Sequence, residues 1–133
     1  MNPKKLSKAQ DGMLGNVVKV YEVLEYIVLA ELMTVRIDYS QNLEQKIIKI
    51  LGNVGINKGF LSQRINSLII SGKIEKVGID PEHRSRQFLR ITEDGIVYLK
   101  KIMAELPAKV QLAKRTYTAF EAYMDQYGKM TLK

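Results

Sequence analysis

Apolar and polar residues alternate along the chain at helical spacing, interrupted by a few short stretches that alternate every second residue. Val17, Val20, Tyr21, Leu24, Ile27 and Val28 recur at intervals of three and four, which lines them up on one face of a helix. They predict a helix over residues 12–33, with Asp11 as its cap and Gly15 as a weak point in its first turns. Val23, Tyr26, Leu29 and Ala30 widen the stripe almost all round, as suits a central helix or one in a subunit interface. Residues 34–39 alternate like a strand. Ser40 or Asn42 then caps a helix that turns Leu43, Ile47, Ile50 and Leu51 inward, and the glycines of residues 52–55 reverse the chain.

A helix over 57–71 follows, with Leu61, Ile65 and Leu68 as its stripe and Gly72 as a left-handed stop. At about 100° per residue this turns Gly59, Gln63 and Asn66 outward, sets Ser62 and Ser67 beside them, and leaves Lys58 and Arg64 at the edges. Two strands come next, 74–79 and 87–92, joined by a charged turn in which Pro81 presets φ and Asp80 is expected to pair with an arginine. Residues 92–95 open a helix over 93–106 whose stripe is Ile96, Leu99, Ile102, Met103 and Leu106. Pro107 breaks that helix or opens another, and the last helix, 108–127, carries Val110, Ala113, Tyr117, Phe120, Met124 and Tyr127 at the same spacing. The fold class is mainly α with a small β-hairpin, in the layout of a winged helix-turn-helix.

Length and charge narrow the picture. A chain of 133 residues suits one domain: a basic arm over 1–10 with Lys4, Lys5 and Lys8, then a single domain over 11–133. A net charge of +7 and a pI near 9.6 favour a polyanionic partner. The absence of cysteine excludes disulfides, thiolate metal sites and thiol sensing. A single histidine, His83, leaves no basis for a zinc site. Glu22, Glu25 and Glu31 interrupt the most apolar stretch, so no membrane span is expected and the default compartment is the cytoplasm. No catalytic residue, metal or cofactor is expected, because neither a cysteine nucleophile nor paired metal-ligand spacing nor a phosphate-cradling glycine loop is present.

Over some forty residues the chain resembles the MarR family of winged-helix transcription regulators. Ile56, Asn57, Leu61, Ser62, Ile65, Leu68, Gly72 and Ile74 match the family's recognition-helix pattern without a gap. Asp80, Pro81, Arg84, Ile91, Thr92 and Gly95 match its wing pattern at the same spacing. His83 and Ser85 depart from the wing, where the family has aspartate and arginine, with Arg86 one step later; Arg64 departs from an often apolar position. The resemblance implies a dimeric, sequence-specific regulator of double-stranded DNA, most often a repressor, that responds to a small anionic or phenolic effector. The helix over 57–71 would read the major groove and the hairpin over 79–90 the adjacent groove or phosphates.

The expected DNA contacts are Asn57, Lys58, Gly59, Ser62, Gln63, Arg64, Asn66 and Ser67 on the helix, and His83, Arg84 and Arg86 on the hairpin. Residues 34–95 would form the DNA-binding core, and 11–33 with 96–133 the dimerisation elements, through Val20, Leu24, Ile27, Tyr117, Phe120 and Met124. The bland competitors are a solvated polar helix face, a solvated charged turn (for Lys76 and Arg90 above all) and ordinary core packing. A second functional class uses the same surface: a DNA-binding adaptor for plasmid or phage segregation or replication, which coats repeated sites and recruits a partner protein.

Overall fold

The computed structural model describes residues 18–52 and 57–132. The basic arm, the Asp11 cap, the Gly15 break, the first turns of the helix expected from residue 12, and the turn residues 53–56 lie outside the described residues. The order of elements is α1 (Val20–Val35), β1 (Asp38–Tyr39), α2 (Ser40–Ile50), α3 (Lys58–Ile70), β2 (Ile74–Ile79), β3 (Gln87–Ile91) and α4 (Glu93–Tyr127). Where the sequence predicts one domain over 11–133, the described residues fall into two compact units, one of residues 19–104 and one that takes in residues 105–132.

In the first unit, the predicted stripes meet. Leu24, Val28, Leu29 and Leu32 of α1, Leu43 and Ile47 of α2, Leu61, Ile65 and Leu68 of α3, Ile74 of β2 and Leu89 of β3 are all buried. Removing such side chains from water stabilises by about 1.5–3 kcal/mol each. The strands form an antiparallel sheet in the order β1-β3-β2, with Tyr39 opposite Phe88 and Ile74 opposite Ile91. Between Lys76 and Gly78 the register shifts, so Val77 is the extra residue of a bulge.

Three expectations change. The strand over 34–39 shrinks to two residues, because α1 runs on to Val35 while Thr34 Oγ1 donates to the Ala30 carbonyl at 2.9 Å. Arg36, at φ 74°, then turns the chain so tightly that the Ile37 N–H donates to the Val35 carbonyl at 2.9 Å. The start of α2 is held by neither Ser40 nor Asn42 acting as a cap. Asp38 does it from outside the helix, its buried carboxylate accepting from Tyr39 N at 2.8 Å, Asn42 Nδ2 at 2.8 Å and Lys46 Nζ at 2.9 Å. Finally, Pro107 neither ends nor opens a helix: α4 continues through it from Glu93 to Tyr127. A proline inside a helix costs about 3 kcal/mol. The buried Leu99, Ile102 and Leu106 just before it supply apolar burial that offsets this.

The helix α4 begins where α3 ends. Thr92 Oγ1 donates to the Gly72 carbonyl at 2.6 Å and accepts from Gly95 N at 3.1 Å, while Thr92 N donates to the Lys73 carbonyl at 3.0 Å. A Cβ on Gly95 would run into the Lys73 carbonyl oxygen and lie 2.7 Å from Ile91 Cγ1. Gly95→Ala is therefore expected to destabilise the fold by about 1–3 kcal/mol, as overpacking does, measured by urea denaturation. The Lys46 amine is held above its ordinary value first by its hydrogen bond to Asp38, partial burial opposing and the charges of Asp38 and Glu31 adding to it. A raised amine stabilises fully below its unfolded pKa and loses that contribution as pH climbs through the folded one. The stability gap between the unaltered protein and Lys46→Met should accordingly be constant near neutrality and close at strongly alkaline pH.

Candidate nucleic-acid interface

Asn57 caps α3, its Oδ1 accepting from Gly59 N at 2.7 Å and Phe60 N at 3.4 Å. A Cβ on Gly59 would sit 3.1 Å from that same oxygen, so the glycine makes room for the cap. Beyond it, Lys58, Ser62, Gln63 and Asn66 are exposed opposite the buried Leu61, Ile65 and Leu68, while Ser67 is half-buried. Gln63 and Asn66 project side-chain amides, which offer paired donors and acceptors, with no charge of their own.

Arg64 behaves differently from its expectation as a DNA contact. It falls three residues after Leu61, on the flank that faces α1. Its guanidinium carbon lies 5.8 Å from the Tyr21 ring centroid and 5.5 Å from that of Phe60, with Nε buried and without a hydrogen-bond partner. The two ring faces attract the cation, which makes Arg64 a packing residue. Ser62 is also engaged: its hydroxyl donates to Glu44 Oε1 at 2.7 Å, and Glu44 is only 5% exposed.

The hairpin turn is built from its own backbone. Asp80 N donates to the Arg86 carbonyl at 2.9 Å, and Arg86 N to the His83 carbonyl at 2.8 Å. Asp80 does not pair with an arginine as the sequence suggested; its Oδ1 accepts from Glu82 N at 3.0 Å, because the carboxylate is nearer the turn's own N–H than any guanidinium. Gln41 Nε2 donates to the Ser85 carbonyl at 3.2 Å and so ties the turn to the start of α2. Arg84 and His83 are exposed. Arg86 is not beside Arg84 at the tip: its guanidinium carbon stacks 4.7 Å from the Tyr39 ring centroid, which draws it back over β1. Arg90 is neutralised across the sheet, Nε donating to Glu75 Oε1 at 2.9 Å.

Between α2, α3 and the hairpin lies a cavity of about 290 Å³, lined among others by Gln41, Glu44, Ser62, Asn66, Lys76 and Gln87. Sequence reasoning passed over Gln41 and Glu44. Glu44 had a signal: it stands three residues before Ile47, on the face that α2 buries. Of the expected dimerisation residues, Leu24 is fully buried within the chain and has no surface to offer a partner; Ile27 is half-buried. Val20 is exposed, and in the second unit so are Tyr117, Phe120 and Met124.

A three-stranded sheet whose hairpin stands beside an exposed, capped helix is a winged helix-turn-helix. No family model matches the chain, and no curated protein matches it. Solved structures do. The PcaV transcriptional regulator from Streptomyces coelicolor is 17% identical, with 96% of each chain covered and a TM-score of 0.57. A mutant MarR from E. coli is 14% identical over 95% of each chain, with a TM-score of 0.52. RosR from H. salinarum is 16% identical, covering 82% of this chain and 96% of its own, at a TM-score of 0.51. The chain has a MarR-like fold. Among the described residues, no helix is long and apolar enough to cross a membrane.

The place of Arg64 has a measurable consequence. Arg64→Ala should lower stability by about 0.5–2 kcal/mol, the worth of its ring contacts, in a denaturation experiment. A variant of unchanged stability that binds duplex DNA less well would return Arg64 to the interface.

Proposed function

We propose that the protein is a dimeric, sequence-specific regulator of transcription that binds double-stranded DNA and acts as a repressor. One observation carries this reading: Gln63 and Asn66 stand exposed on a capped helix beside a hairpin that presents Arg84. Amides of this kind bond adenine in two places in the major groove. Exposed arginine suits phosphates or a narrow minor groove. In this reading, Lys58, Gln63 and Asn66 contact DNA directly, Ser62 does so through its remaining lone pairs, and His83 and Arg84 flank them. Asn57 and Gly59 set the start of the helix, and Ser67 lies at the margin.

Residues 34–95 form the DNA-contacting core, and the segments 11–33 and 96–133 join two copies. Exposed Tyr117, Phe120, Met124 and Tyr127 recur at intervals of three and four along α4, with exposed Val110 seven residues before Tyr117, an apolar seam of the kind that pairs helices. Exposed Val20 is a further dimer contact in this reading. Two copies would set two reading helices one DNA turn apart on an inverted repeat. PcaV has also been solved with its natural ligand, which supports a small-molecule effector for this chain. Solubility in the cytoplasm accords with this role.

In vitro selection from a random duplex pool is expected to enrich an inverted repeat; tandem short repeats would indicate a DNA-coating adaptor, and no enrichment would remove DNA reading altogether. Gln63→Ala should change the preferred base at one position, at a cost of about 1–3 kcal/mol, while Arg84→Ala should weaken all sequences alike and reduce the salt slope by about one. Phe120→Arg is expected to sediment as a monomer and to lose cooperative binding to the repeat.

A further inference from the structure

The Ser62 hydroxyl has one hydrogen, and that hydrogen is already committed. It is donated at 2.7 Å to Oε1 of Glu44, a side chain from the neighbouring helix that is 5% exposed. An ionised carboxylate only accepts hydrogen bonds, so the direction of this bond is set by Glu44 and cannot be reversed by Ser62. Both side chains line the cavity that opens between α2, α3 and the hairpin, together with the exposed Asn66 one turn along α3. No other hydrogen bond or ion pair engages Glu44 among the described residues, which leaves Ser62 as its hydrogen-bonding partner.

Resting on the DNA-binding reading above, we propose that Glu44 is a specificity-determining positioning residue that fixes Ser62 as a pure acceptor toward DNA. A free serine hydroxyl rotates and suits any base, as donor or as acceptor. A serine whose proton is held inward presents only lone pairs. In the major groove, adenine N6 and cytosine N4 are donors, whereas guanine O6 and N7 and thymine O4 are acceptors. Ser62 therefore selects adenine or cytosine at the base it faces and rejects guanine and thymine there, where two acceptors would meet. The polarity of one hydrogen bond inside the protein becomes a preference in the DNA outside it.

The test is selection from a random duplex pool with four proteins: unaltered, Glu44→Gln, Ser62→Ala and the double variant. The unaltered protein should prefer adenine or cytosine by about five- to tenfold at one position, the worth of a single hydrogen bond. An amide at residue 44 can donate as well as accept, so Glu44→Gln should flatten that position to within about twofold and leave the others intact. Ser62→Ala should flatten the same position, and adding Glu44→Gln to it should change nothing more. Should Glu44→Gln fail to fold, Ser62→Ala alone still decides: retained discrimination against guanine and thymine would overturn the assignment. An unchanged profile in Glu44→Gln, or a uniform loss at every position, would also overturn it. Absence of any motif for the unaltered protein would overturn the DNA-binding reading and this inference with it.

Discussion

Thr92 holds three elements at a single point, and the rest of the first unit depends on that junction. Its hydroxyl donates to the carbonyl of Gly72, at the end of α3, and accepts from the N–H of Gly95, in the first turn of α4; its own N–H reaches Lys73 at the base of the hairpin. Helix ends leave backbone groups without partners. Here the end of one helix and the start of another satisfy each other through one side chain. Gly95 is what allows them to approach, since any Cβ would occupy the space of the Lys73 carbonyl. With α3 and β2 anchored at their common turn, the exposed helix face and the hairpin beside it hold a set relation.

Buried carboxylates organise the polar side of the same unit. Asp38 gathers Tyr39 N, Asn42 and Lys46 at the start of α2. Glu25 accepts from the Tyr98 hydroxyl at 2.7 Å, and burial, before that bond, pushes the phenol well above its ordinary range. Glu44 accepts from Ser62. An unpaired buried charge is costly, and each of these acids has a donor placed against it. Cations are sorted by the same economy of partners. Arg64, Arg86 and Arg90 are occupied by rings or by Glu75, while Arg84 stays exposed to solvent. Counting basic residues along the sequence overstates how many are free to meet a polyanion.

The motifs at 57–72 and 80–95 made the helix, the hairpin and their separation legible, because apolar stripe, glycine stop and turn residues act locally. The same locality explains the misreadings. The strand over 34–39 has the right alternation, yet α1 and the tight turn at Arg36 take most of it. Pro107 is a helix breaker by its own chemistry, yet α4 runs through it. Arg64 and Arg86 carry the charge that DNA contacts need, yet aromatic rings from α1 and β1 claim them. For the two arginines a ring remote in sequence outweighs the residue's own preference, whereas the strand gives way to its immediate neighbours.

The sequence by itself determined which faces turn inward, where α3 stops, and that the hairpin follows it, since these depend on the spacing of apolar residues and on backbone constraints a few residues long. Only the tertiary structure decided which polar groups on those faces remain free. Hydrogen bonds such as Ser62 to Glu44 and Gln41 to Ser85 join residues eighteen and forty-four positions apart. Their direction depends on burial and proximity that no local pattern encodes.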